Sequence, residues 1–125
     1  MDSQFEKGLA TRKQVMGEDF VAKAFAGATD FTRPMQEHIT AKAWGDVWQR
    51  PGLDLKTRSL VTVAMLTALG RQHELKGHVR GALNNGATPE EIQELLLHAA
   101  VYCGVPSAVE AFRSAADVID APGKP

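Results

Sequence analysis

Apolar residues recur at helical spacing along almost the whole chain, and the strict alternation of a half-buried strand occurs nowhere. Residues 2–16 set Phe5, Leu9, Val15 and Met16 among charges, which predicts a moderately amphipathic helix ended by Gly17. A short helix from Phe20 to Ala26 follows, then a turn over Gly27 to Asp30. Residues 33–49 read as a third helical stretch, with Trp44 and Trp48 one turn apart, and Arg50-Pro51-Gly52 breaks it.

The second half is more sharply punctuated. Residues 59–69 are almost wholly apolar; Asp54 suits the N-cap of a helix over 55–69, and Gly70 suits its end. A charged helix is expected over about 71–84, closed by Asn84-Asn85-Gly86. Thr88-Pro89-Glu90-Glu91 combines an N-cap hydroxyl, a proline at the first helical position and a glutamate three residues on. That helix should reach about Tyr102, where Gly104-Val105-Pro106 interrupts it. Ser107 and Glu110 form a second capping-box pattern, predicted to open a last helix to about Ile119, with a frayed tail over 121–125. The expected class is therefore all-α, as one domain spanning 1–125.

Charge and composition exclude several functions. Fourteen Lys and Arg against fifteen Asp and Glu leave a net charge of -1, without the cationic footprint of a nucleic-acid binder. The apolar run 59–69 is too short to span a bilayer, and the first residues lack a basic segment followed by an apolar one. A cytoplasmic location is the expectation. The lone Cys103 excludes an internal disulfide, a CxxC redox pair and a thiolate zinc cage, and its apolar neighbours predict a buried, inert thiol. No HExxH, glycine-rich phosphate loop or nucleophile elbow is present.

The densest candidate chemistry lies in residues 71–78. On a helix Arg71, Glu74 and His78 would stack along one stripe, placing a cation, a carboxylate and an imidazole together beside an apolar helix. A carboxylate next to an imidazole raises its pKa and orients the ring, as a general acid requires. The same spacing also fits a solvated helix face. Leu75, Val79 and Leu83 form the core line of this helix, with Gly77, Gly81 and Ala82 permitting close approach by another helix or subunit. His98 sits among apolar residues with Tyr102 one turn on, a pattern that suits a core histidine as well as a pocket donor. Arg58, at the head of the apolar helix, is disfavoured there by the helix dipole and suggests an anion partner. Trp44 and Trp48 suit core or interface anchors; His38 and His73 read as surface residues.

Taken together, several segments closely resemble the 4-carboxymuconolactone decarboxylases, a family within the alkylhydroperoxidase-D-like superfamily. The resemblance runs from about Phe5 to Ile119. Its most specific stretches are Ala43 to Leu53, Thr57 to Leu66, Ala68 to Arg71, Glu74-Leu75 with His78 and Arg80, Asn84 to Gly86, and Leu97-His98 with Tyr102, Gly104 and Pro106. It implies an alkylhydroperoxidase-D-like helical fold assembled as a homo-oligomer, commonly a hexamer. Peroxidase members of the superfamily carry two cysteines three apart and a histidine four further on; here those positions match Arg71, Glu74 and His78. Thiol redox chemistry is accordingly not expected.

The implied reaction removes CO2 from 4-carboxymuconolactone to yield the 3-oxoadipate enol-lactone, in protocatechuate catabolism by the β-ketoadipate pathway. The released electron pair can spread through the ring double bond onto the lactone oxygen, so neither cofactor nor metal is needed. For that reaction His78, oriented by Glu74, is the expected proton donor, Arg58 and Arg71 the expected carboxylate and oxyanion contacts, and His98 and Tyr102 the expected pocket-lining donors. The partners implied are a small dicarboxylate lactone and further copies of the chain, with no nucleic acid or membrane. A same-fold enzyme for another lactone or oxo-acid, and a non-catalytic oligomeric binding protein, are the competing readings.

Overall fold

A computed structural model describes residues 3–121, and every regular element among them is helical. The helices are α1 (Ser3–Met16), α2 (Glu18–Ala26), α3 (Arg33–Ile39), α4 (Leu55–Leu69), α5 (Gln72–Asn84), α6 (Pro89–Cys103) and α7 (Val105–Ile119). The predicted tail falls at residues 121–125, of which 122–125 lie outside the described residues. No helix among the described residues is long and apolar enough to cross a membrane. The chain divides into two compact units, one up to Leu55 and one from Lys56 onward.

In the first unit, Val15, Met16, Val21 and Trp44 form the buried core, with Leu9, Phe25 and Trp48 packed against it. Trp44 and Trp48 stack with ring centroids 4.4 Å apart, so the expected anchor role of Trp44 is met in the core. The helix expected over 33–49 is not continuous. After α3 the backbone widens into a π-helical turn, Thr40–Trp44, and then tightens into a 3-10 turn, Val47–Gln49.

That widening coincides with two features invisible to periodicity. Arg12, only 5% exposed, donates from Nη1 to the Thr40 hydroxyl at 3.0 Å, and that hydroxyl donates to the Gln36 carbonyl at 2.7 Å. The Arg12 guanidinium also lies 5.8 Å from the centroid of Phe25, and burial holds its pKa below the ordinary arginine value. In addition, α1 meets the π turn almost backbone to backbone: a Cβ on Gly8 would run into the Thr40 carbonyl and Gly45. Insertions of this kind widen a helical ladder locally.

The second unit encloses Val63, Leu75, Val79, Ala82, Ile92, Leu96, Ala111, Ala115 and Val118. Helices α5 and α6 both pack on α7. Ser114 on α7 donates to Oε1 of Gln72 at the start of α5, at 2.7 Å, and Nδ2 of Asn85 donates to the buried Ser59 hydroxyl at 2.9 Å. The predicted capping box at Thr88 is present, with the hydroxyl accepting from the Glu91 backbone and the Glu91 carboxylate accepting from the Thr88 backbone. The second capping box is absent. Gly104 at φ 99 starts α7 at Val105, two residues before Ser107, because Pro106 in the first turn gives up no needed N–H.

Candidate active site

Every candidate residue lies in the second unit. Between α4 and α5 the chain turns through Gly70, whose φ of 72 suits glycine. The backbone N–H of Gly70 bonds to the Thr67 carbonyl at 3.3 Å, and that of Arg71 to the Leu66 carbonyl at 3.0 Å. This is a Schellman closure of α4. Arg71 then serves as N-cap of α5, with its carbonyl accepting from Leu75 at 2.9 Å. Arg71 therefore stands ahead of the helix rather than on its stripe, a correction to the boundary expected from spacing.

Within α5, the buried line is Leu75, Val79 and Ala82, with Gly81 also covered, while Leu83 is only partly buried. His78 borders that line and is half-buried, with Nδ1 shut off from solvent. Glu74 sits one step further round and is exposed, as is Arg71. The stripe thus lies along the flank of this helix and not inside the core of a single chain. Arg58 occupies the first turn of α4, half-buried with Nε shut off from solvent.

His98 and Tyr102 are brought together on α6, with ring centroids 5.0 Å apart and the planes tilted by 43°. Both are exposed, Tyr102 to 78%, so His98 is not a core histidine. The reason is rotational: α6 buries Ile92, Leu96 and Ala99, and position 98 falls off that face. Cys103 is likewise exposed, against the expected buried thiol, because it ends α6 beyond the last buried turn. His38 and His73 are exposed, as expected.

The His98–Tyr102 pair lines an open groove of about 760 Å3 between α4 and α6. Leu60, Ala64, Leu95 and Ala99 form its apolar part, and Glu90, Glu91 and Glu94 bring carboxylates to it. Lys56 holds Glu91 at 2.8 Å, and that bond, with the Thr88 backbone N–H, lowers the Glu91 pKa. Arg58, Arg71, Glu74 and His78 are not part of this groove's lining. Within one chain His98 and Tyr102 stand together in the groove, while Arg58 and Arg71 flank opposite ends of α4 and the Glu74–His78 pair lies on α5, all four outside that lining. Spacing alone did not reveal the acidic lining, although Glu90 and Glu94 are one helical turn apart, a visible signal.

An all-helical scaffold carrying imidazole, phenol and guanidinium groups is equipped for acid–base chemistry on an anion. Comparison with known proteins gives the same class. Residues 33–117 match the carboxymuconolactone decarboxylase family, and the chain belongs to that family. It is 55% identical over 107 residues to the nitrosuccinic acid decarboxylase of Metarhizium robertsii, covering 86% of this chain and 75% of that protein. It is 44% identical over 117 residues to the 4-carboxymuconolactone decarboxylase of Acinetobacter baylyi, covering 94% and 87% respectively. An uncharacterised 15.0 kDa protein of Paracoccus denitrificans is 36% identical over 77 residues, covering 60% and 58%.

Proposed function

We propose that this protein is a cofactor-independent carboxy-lyase acting on a small dicarboxylate, with 4-carboxymuconolactone as the first candidate. The observation that carries the reading is the 44% identity, over nearly the full chain, to a decarboxylase of that substrate. The C–C bond to the departing carboxylate breaks, CO2 leaves, and the electron pair passes through the ring double bond to the lactone oxygen. A proton delivered to the ring carbon completes the enol-lactone. His78 is the proposed acid, oriented by Glu74, while Arg58 and Arg71 hold carboxylate and oxyanion and His98 and Tyr102 line the pocket. The half-burial of His78 and Arg58 supports their roles, since a desolvated donor acts more strongly. The exposure of Glu74 makes its assistance to His78 electrostatic and modest.

A second reading rests on the 55% identity to a nitrosuccinic acid decarboxylase. The two substrates are chemically related. In each, the carbon losing CO2 bears a CH2–carboxylate arm and feeds its electron pair to an acceptor, the conjugated lactone in one and the nitro group in the other. One site with a cation for the arm and an acid for the carbanion serves both. Purified protein should be supplied with each substrate separately, following lactone absorbance and CO2 release for the first and 3-nitropropanoate for the second. Turnover of only one assigns the substrate; turnover of neither ends the decarboxylase reading.

The remaining expectations belong to this proposal. The protein works in the cytoplasm, in protocatechuate catabolism if the lactone is its substrate, and as an alkylhydroperoxidase-D-like homo-oligomer, a hexamer by family resemblance. Val61, Met65 and Leu69 are exposed four residues apart on α4, and Leu97 and Val101 are exposed on α6, which favours assembly. Light scattering tests it.

A further inference from the structure

The loop joining α2 to α3 holds a large apolar side chain out in solvent. Phe31 is 92% exposed, and Met35, one turn into the next segment, is 60% exposed. The loop is nevertheless well tied. The Thr29 N–H donates to the Thr32 hydroxyl at 2.8 Å, and the Thr32 N–H donates to the Thr29 hydroxyl at 3.2 Å. The Arg33 N–H donates to the Thr29 carbonyl at 2.8 Å, and Nη2 of Arg33 to the Ala28 carbonyl at 3.2 Å. A loop ordered in advance loses little conformational freedom on docking, so Phe31 has the properties of an interface anchor.

The second unit offers a surface of matching chemistry. The α4–α6 groove has an apolar floor of Leu60, Ala64, Leu95 and Ala99, with Glu90 and Glu94 exposed beside it. An aromatic ring suits the floor, and Arg33, two residues from Phe31, suits the two carboxylates. We propose that the Phe31 loop of one copy seats in the α4–α6 groove of a second copy, with Phe31 on the floor and Arg33 facing Glu90 and Glu94. The two surfaces differ, so the contact pairs either reciprocally about a two-fold axis, giving a dimer, or head-to-tail, giving a ring or further copies. It also lays the partner's loop beside His98 and Tyr102. The inference rests on these two surfaces and goes beyond the decarboxylase reading.

The test is sedimentation velocity on full-length variants at matched concentrations, with circular dichroism to confirm helicity. Phe31→Ala should raise the dissociation constant at least about 30-fold, the scale of an aromatic hot spot, and shift the protein to a smaller species. Glu94→Arg should weaken association, and adding Arg33→Glu to the same chain should restore it. Ala64→Trp fills the groove but leaves the loop intact. Mixed with Phe31→Ala, it should form a larger species than either variant alone, since the mixture retains one intact loop and one intact groove. Wild-type protein that stays monomeric, or Phe31→Ala that assembles like wild type, overturns the proposal. Failure of both the mixture and the charge swap to restore association does so too. If Ala64→Trp does not fold, the charge swap decides. None of these readouts depends on catalysis, so they stand apart from the substrate assays.

Discussion

Replacing Gly8 by alanine should destabilise the protein, although helix propensity alone favours alanine by about 1 kcal/mol within a helix. The reversal comes from the contact between α1 and the π turn. A Cβ on Gly8 would lie 2.6 Å from the Gly45 nitrogen and 2.9 Å from the Gly45 Cα, and would collide with the Thr40 carbonyl oxygen. Carbon atoms in good contact sit roughly 3.5–4.0 Å apart, so the two segments must separate by about 1 Å. The obstructing atoms are backbone and cannot rotate aside. Overpacking typically costs about 1–3 kcal/mol, and this site belongs at or above the upper end. Subtracting the propensity gain leaves a net loss of about 2 kcal/mol, or a fall in Tm of roughly 5–10 °C for a chain of this size. Urea and thermal melts should compare Gly8→Ala with wild type and with Gly52→Ala, whose added Cβ meets nothing within 4 Å. All three need one protein concentration, because assembly makes Tm depend on it. The control should stay within about 0.5 kcal/mol of wild type. A Gly8→Ala protein as stable as wild type would refute the close-approach argument.

Other outcomes follow from the site and from the described ion pairs. In steady-state assays, His78→Ala should lower kcat by about 10²–10⁴-fold, and Glu74→Gln by less; near-normal kcat in the first would make His98 the next acid to test. Arg58→Ala and Arg71→Ala should chiefly raise KM, and unchanged KM in both would place the carboxylates elsewhere. The Glu91 pKa is lowered in the fold, first by Lys56 and then by the Thr88 backbone, so its ionised form is favoured there. Its contribution is present at neutral pH and disappears as pH falls below the ordinary glutamate range through its own lower pKa. The stability gap between wild type and Glu91→Gln should therefore narrow in acid urea melts, and a gap independent of pH would refute the assignment.

Helical class and most helix ends were legible from local sequence, because caps, glycines and prolines act over a few residues. Thr88-Pro89-Glu90-Glu91 started α6 where predicted, and Gly70 and Gly86 closed their helices through local backbone bonds. Local sequence also identified Leu75 and Val79 as core, since that line follows the helical period. Tertiary structure decided whatever depends on a distant neighbour. The break at Thr40 needed Arg12, twenty-eight residues away, and the glycine contact with α1. Propensity could not foresee the exposure of His98 and Cys103, which was set by the way α6 rotates to bury Ile92, Leu96 and Ala99. The packing of α5 through Leu75, Val79 and Ala82 likewise exposed Glu74 and left His78 at the edge of the core. Periodicity places a residue on a face; only packing decides whether that face meets protein or water.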